Sequence, residues 1–235
     1  MSLGHGAKIV RDGLVLHLDA ANNKSYSGGT TWSDLSGNGN NGTLSSVSLE
    51  NNYMLFDNAN DYVIVNHAPS LNFLGTFTVS TWVLVNSFLT TSIYNIVSKK
   101  PSFNNTQKGW SCQYDYRTTG VLQYRNNNGT SLNDHTPTAS INNTSILNQV
   151  VYWANAVWVI NNSSISFYIN AEPKSTVAIN FTDTDTAFPI YIGKTLGSVG
   201  DPAVFSNKSV IKVYNRALSA AEIRQNFEAT KGRYL

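Results

Sequence analysis

Twelve short runs of β-branched and aromatic residues recur along this chain, and turn-forming residues separate them. They are residues 13–20, 53–57, 61–66, 77–86, 94–100, 110–117, 120–126, 151–160, 164–170, 175–181, 189–195 and 209–218. No helical pattern interrupts them, so the strands can bury their apolar faces only against one another, in antiparallel sheets packed face to face. In Ser164–Asn170, Ile165, Phe167 and Ile169 fall on one face and Ser166, Tyr168 and Asn170 on the other. The preceding run puts Ala154, Ala156, Trp158 and Ile160 on one face, and Asn161-Asn162-Ser163 reads as the hairpin turn between the two. One helix closes the chain. Ser219-Ala220-Ala221-Glu222 spells a capping box, Ile223 and Phe227 share a face, Lys231 suits the C-terminal dipole, and Gly232 reads as the stop. Such a helix is expected at the edge or end of the sandwich.

The 235 residues suit one all-β domain. Charged residues make up only 13% of the chain, so Asn, Ser and Thr must supply the polar surface; there are about thirty Asn against four Glu. A net charge of +2 without a basic stripe gives no footing for nucleic acid or an anionic membrane surface. No run reaches the ~18 apolar residues of a membrane span. The single cysteine, Cys112, rules out an intrachain disulfide and a thiolate zinc cluster. The opening residues lack the apolar segment of a secretion signal, so an exterior role would follow release by lysis.

Thr30–Leu44 contains Gly37-Asn38-Gly39-Asn40-Asn41-Gly42. A phosphate cradle needs a following helix and usually a lysine. An EF-hand needs alternating carboxylates, whereas Asp34 stands alone. What remains is a tight turn with several positive-φ residues, serving to bring Trp32 and Leu35 into packing contact.

Residues 13–44 resemble the opening of the laminin-G-like, concanavalin A-like jelly-roll domains, and three further segments follow in that family's order. Leu55–Val83 is similar to its F-D-G-x-D-D-Y-V … F-T-I-S-x-W-V block. Ile165–Ala171 is similar to its Y-I-N-G strand. Ile190–Phe227 is similar to its I-x-I-G … Y-N-R-A-L-S-x-x-E-I ending. Asn58 and Ala171 stand where the family has Gly, and Asn60 where it often has Asp. The head His5-Gly6-Ala7-Lys8-Ile9-Val10 resembles tailed-phage virion proteins of this type in particular. The resemblance implies an all-β antiparallel jelly-roll sandwich over residues 13–235, preceded by an attachment arm at 1–12 in which Ile9 and Val10 anchor the chain to other virion proteins. It also implies a virion-exterior location, a symmetric homo-oligomer, and host-surface glycans as partners of the outward loops.

Glycoside hydrolysis needs two carboxylates facing one another. None of Glu50, Glu172, Glu222 and Glu228 has a carboxylate two residues away, and the alternating Asp183 and Asp185 have no Glu nearby. The four histidines are scattered, and no nucleophile elbow is present. The expectation is therefore a protein that is not an enzyme and requires no cofactor. Calcium is the open metal question: relatives bind it through loop oxygens, and Asp57 and Asp61, with Asn58 and Asn60, could gather such oxygens. The alternative is an Asx-turn between two strands. For glycan binding, Trp110, Tyr114 and Tyr116 share one strand face with Cys112, extendable by Tyr124, while Gln113, Asp115, Arg117 and Arg125 take the other. The aromatic face is either a sugar platform or core; if it is core, the polar face is the surface. The function expected is capsid decoration or a tail or fibre component. A receptor adhesin is the alternative, and a glycan-cleaving hydrolase a more distant one.

Overall fold

The computed structural model describes residues 7–57, 60–86, 93–99, 108–115, 121–127, 132–135, 151–179, 187–194 and 207–235. In chain order the strands are β1 (Leu14–Asp19), β2 (Thr31–Trp32), β3 (Gly42–Ser45), β4 (Ser48–Glu50), β5 (Tyr53–Leu55), β6 (Tyr62–Val65), β7 (Thr76–Asn86) and β8 (Ile93–Lys99). They continue as β9 (Gly109–Asp115), β10 (Val121–Asn127), β11 (Leu132–His135), β12 (Val151–Asn161), β13 (Ser164–Ile169), β14 (Glu172–Ala178), β15 (Ile190–Ile192) and β16 (Asn207–Tyr214), followed by the helix α1 (Ala220–Glu228). All pairings are antiparallel and make two eight-stranded sheets. One runs β14-β13-β12-β7-β16-β5-β4, with β1 also paired to β16; the other runs β11-β10-β9-β8-β15-β6-β3-β2. This is the expected sandwich. The strand runs fall within a few residues of their expected places, and β2, β3, β4 and β11 are additional.

The alternation read from sequence places the core. Ala154, Ala156, Trp158 and Ile160 of β12 pack inward, as do Ile165, Phe167 and Ile169 of β13, against Trp110, Cys112, Tyr114, Leu122 and Tyr124 of the facing sheet. Burial pushes the Cys112 thiol well above its ordinary range, so it is inert in the native state.

The residues between those positions form a second apolar layer on the outer side of the first sheet. Val157, Val159 and Tyr214 meet Val10, Leu14, Leu218 and Ile223 there. The helix therefore lies across a sheet face, not at the sandwich edge or end. Its capping box is present in both directions: the Glu222 N–H donates to Ser219 Oγ at 3.3 Å and the Ser219 N–H to Glu222 Oε2 at 2.9 Å. The helix ends at Glu228, before the expected stop at Gly232. Lys231 pairs with Glu228 at 2.6 Å beyond the last turn.

Arg216 grips Glu222 with two nitrogens, and with the Ser219 donors it lowers that carboxyl to about 2. A carboxylate with a depressed native pKa contributes stability that is complete above its unfolded value of 4.5 and is lost as pH falls through about 2. Glu222→Gln should lower stability at neutral pH, by on the order of 1 kcal/mol after allowance for solvent at its edge. It should also flatten the acid limb between pH 4.5 and 2, as read by urea melts at stepped pH. An unchanged acid limb would refute the assignment.

Two hairpin loops show how the chain manages left-handed backbone. Asn162 (φ 46°) opens the two-residue turn joining β12 to β13, within a residue of its expected place. Asn170 (φ 52°) and Ala171 (φ 65°) join β13 to β14. Alanine there stands where the family resemblance has glycine. Its methyl is buried in the second apolar layer, and that offsets the backbone strain. The left-handed conformation costs a non-glycine residue ~1–2 kcal/mol. Glycine would relieve it but lose ~0.8 kcal/mol of methyl burial and ~0.5–1 kcal/mol of backbone entropy. Ala171→Gly should thus change stability by no more than about 0.8 kcal/mol in either direction. A gain above about 0.8 kcal/mol in chemical denaturation would show that methyl burial does not offset the strain.

Candidate functional site

The Gly/Asn run is a turn organised by one carboxylate. Asp34 Oδ1 accepts from the His17 and Ser36 amides at 2.8 and 2.9 Å, and Oδ2 from Ser36 Oγ and the Asn40 amide at 2.6 and 3.0 Å. Asn38 Nδ2 donates to the Leu14 carbonyl, and Asn40 Nδ2 to the Val15 carbonyl and Ser70 Oγ, so the turn is bolted to β1. Gly37 and Gly39 have φ of 96° and 73°, and a Cβ on Gly42 would lie 2.6 Å from Val63 Cγ1. The turn does bury Trp32 completely, but Leu35 is only half-buried. Beside it opens a cleft of about 370 Å³ lined by Thr31, Gly39, Asn40, Asn41, Thr43, Asn66, His67 and Ala68. Amides, hydroxyls and an imidazole can exchange hydrogen bonds with sugar hydroxyls there, but no Phe, Tyr or Trp lines it.

The expected metal pair does not face outward together. Asp57 is exposed, whereas Asp61 is 1% exposed and its Oδ2 accepts the Asp57 amide at 2.8 Å. That bond closes the β5–β6 connection backward over four residues, and so differs from the expected Asx-turn, in which the side chain accepts from an amide two residues further on. Asn58 lies outside the described residues. Calcium wants six to eight oxygens, and a pair with one carboxylate turned in on its own loop does not fit that demand. Among the described residues no three His, Cys, Asp or Glu side chains group together.

The aromatic face of β9 is core. Trp110 is 1% and Tyr114 4% exposed, and Trp110 packs on Phe77 at 4.8 Å and Phe73 at 6.1 Å. Neither can be a sugar platform, because the facing sheet occupies that space; Tyr116 and Arg117 lie outside the described residues. Nor is the opposite face open. Ser111, Gln113, Asp115 and Arg125 are buried, and Gln113 Nε2 donates to Asn95 Oδ1 at 2.6 Å.

The expected docking residues serve their own domain. The Val10 amide donates to Asn226 Oδ1 at 2.8 Å, and its carbonyl accepts from the Tyr214 hydroxyl at 3.2 Å. Gln225 Nε2 donates to the Lys8 carbonyl. Val10 is buried and Ile9 half-buried against the helix layer. The chain from Lys8 onward is thus stitched to its own C-terminal helix rather than left as an arm, and the domain starts before residue 13.

The sequence reading missed a cleft of about 180 Å³ on the outer side of the first sheet, lined by Ala21, Asn51, Asn52, Trp153, Arg233 and Tyr234. Asn51 (φ 45°) and Asn52 (φ 70°) form the two-residue turn of the β4–β5 hairpin, a conformation that selects Asn or Gly. Trp153 could have been found by alternation. Trp158 points into the core, so a tryptophan five residues earlier points out. Arg233 and Tyr234 reach the cleft only because the C-terminal segment folds back over the sheet.

The glutamates lie elsewhere. Glu222 caps α1, Glu228 pairs with Lys231, Glu172 lies 3.8 Å from Arg224, and Glu50 is exposed at the end of β4. None lines either cleft.

No curated protein matches the chain by sequence. Among solved structures, the binding domain of Paraclostridial Mosquitocidal Protein 1 superposes with a TM-score of 0.68 at 22% identity, over 92% of this chain and 52% of that one. The ligand binding domain of botulinum neurotoxin serotype D, solved with N-acetylneuraminic acid, gives 0.70 at 16% identity over 94% and 52%. A Trypanosoma rangeli sialidase, solved with 2,3-difluorosialic acid, gives 0.69 at 16% identity over 100% and 35%. The chain thus spans about half the length of these toxin domains, and at such identities the likeness is one of fold. Sequence carries the family further: the laminin-G family described as the concanavalin A-like lectin/glucanases superfamily matches residues 57–224, most of the chain, and to that superfamily the chain belongs.

Proposed function

We propose that this chain is a non-catalytic, glycan-binding module carried on the outside of a phage-type virion, as a decoration or tail component. One observation carries the binding half of this reading. Two clefts on the described surface are lined by amides, hydroxyls and an aromatic wall, and none of the four glutamates lines either of them. Such a surface can hold a sugar but offers no facing acid and base to cleave it. Membership of a lectin and glucanase superfamily supports a carbohydrate ligand, and so does the shared fold of a toxin domain solved with N-acetylneuraminic acid. The virion half rests on the sequence resemblance of the head and the Asn/Ser/Thr-rich surface. Its partners would be other virion proteins in a symmetric array, with no role for nucleic acid or membrane insertion. Among the described residues no helix is long and apolar enough to cross a membrane.

A glycan array with the intact protein tests binding, and a cryo-EM map of the particle encoding the chain tests location. Hits on the array and sandwich density at lattice or tail positions are expected. A blank array at high protein concentration would end the glycan reading. A particle without this density would end the virion reading. The adhesin alternative predicts few copies at a fibre tip and inhibition of infection by the free protein.

A further inference from the structure

The small outer cleft is more specific than a generic sugar surface. One wall is aromatic and rigid. Trp153 and Tyr234 meet at 4.9 Å with their planes tilted by 49°, and Tyr53 stands edge-on to Trp153 at 5.7 Å. Tyr234 is itself stacked on buried Trp82 at 4.2 Å. Its hydroxyl donates to Ser209 Oγ, which donates to the Asn52 carbonyl, so the aromatic wall and the Asn51-Asn52 turn are fastened to one strand. Beside them stands Arg233. A single nitrogen, Nη1, takes both Asp19 oxygens at 2.8 and 3.0 Å, and the guanidinium lies 5.6 Å from the centre of the Tyr234 ring. Among the described residues nothing accepts from its Nη2 or Nε, so a planar two-donor edge remains on a side chain that is 36% exposed.

The charges around it favour an anion. Lys212 is buried close by, where it interacts with Asp19 and Arg233, and burial lowers it to about 8, still mostly protonated at neutral pH. Arg233 and Lys212 thus face a single buried carboxylate, Asp19. The other carboxylate near the turn, Glu50, is exposed at the end of β4 and does not line the cleft. At about 180 Å³ the cleft falls below the ~300–1,000 Å³ of drug-sized sites, the scale of one sugar residue and not of a chain.

We propose that this cleft binds the terminal sugar of a glycan through a carboxylate. Arg233 pairs the carboxylate with Nη2 and Nε, Trp153 packs on the apolar face of the ring, and the Asn51 and Asn52 amides take hydroxyl or acyl-amide groups. The ligand class is a carboxylated monosaccharide, either a sialic acid or a uronic acid. The proposal rests on the glycan reading above and adds the site and the chemistry of the ligand.

The test titrates the intact protein, observed by NMR, with N-acetylneuraminic acid, glucuronic acid and neutral N-acetylglucosamine. The acidic sugars should bind at least tenfold more tightly than the neutral one. Preference for N-acetylneuraminic acid would show the Asn pair reading its exocyclic groups, and preference for glucuronic acid would show recognition by carboxylate and ring alone. Trp153→Ala should weaken acidic-sugar binding about tenfold or more. Arg233→Lys keeps a cation beside Asp19 but removes the planar fork. It should reduce acidic-sugar binding similarly with little change in melting temperature. Because both variants are followed by thermal melting, a folding defect separates from a binding defect. Equal binding of neutral and acidic sugars overturns the proposal, as does acidic-sugar binding untouched by both variants. With array hits still present, the glycan reading survives either result. Absence of any sugar binding together with a blank array ends both.

Discussion

Asp34→Ala should lower the melting temperature by on the order of 10 °C, out of proportion to a half-buried polar side chain on a turn. Its two oxygens accept four hydrogen bonds, three from backbone amides and one from a hydroxyl. Hydrogen bonds to a charged group contribute ~1.5–3 kcal/mol each, less when they share one acceptor, so the loss should come to about 3–5 kcal/mol. The amides left behind belong to β1, to Ser36 and to Asn40, and Asn40 ties the turn to the Val15 carbonyl. Without the carboxylate the turn has no reason to hold Gly37 and Gly39 left-handed, and the Gly42–Val63 contact that seats β3 on β6 loosens. Asp34→Asn keeps one acceptor but turns an NH2 toward a donor, and should fall between wild type and alanine. The measurement is thermal and urea denaturation of both variants. Asp34→Ala within 2 °C of wild type would show that the Asn side chains hold the turn alone.

That result bears on how much the sequence discloses. The run of Gly and Asn is legible as a turn because positive φ selects those residues. Its organiser is not, since Asp34 is separated in sequence from the His17 amide it binds. The same division recurs elsewhere. Alternation in β12 and β13 identifies the core, and the Ser219–Glu222 spacing identifies a helix start, because both are local rules. Whether Trp110 and Tyr114 are platform or core depends on whether a second sheet covers them, and β9 alone does not carry that information. Ile9 and Val10 look like a free apolar anchor in a linear reading. The hydrogen-bond partners of Val10, Asn226 and Tyr214, lie more than 200 residues away. The outer cleft is the extreme case. Its six lining residues come from four separate stretches of chain, and only the parity of Trp153 and the Asn51-Asn52 pair leave a local trace.

Trp82→Ala should cost about 3–5 kcal/mol, the range for removing a large buried aromatic side chain, and should act first on the C-terminal segment. Trp82 is fully buried on the outer side of the first sheet, between Phe227 of the helix at 5.6 Å and Tyr234 of the tail at 4.2 Å. Its Nε1 donates to Thr230 Oγ1 at 2.8 Å, and that hydroxyl in turn donates to the Asn226 carbonyl. One side chain therefore fastens both helix and tail. Removing it leaves a cavity beneath them and cuts the hydrogen bond that fixes their spacing. Amide exchange and limited proteolysis over 219–235 should accelerate well before the sandwich unfolds, because the inner core makes none of these contacts. Trp82→Phe keeps much of the stack but not the donor, and should recover roughly half of the loss. If Trp82→Ala leaves exchange in this segment at the wild-type rate, the helix is held by Val10, Leu218 and Ile223 instead. If the segment loosens as expected, Tyr234 and Arg233 loosen with it, and the outer cleft loses two of its walls in a protein whose sheets are still intact. Acidic-sugar affinity should then fall with the local opening and not with the global melt, a separation that a mutation in the sandwich core cannot produce.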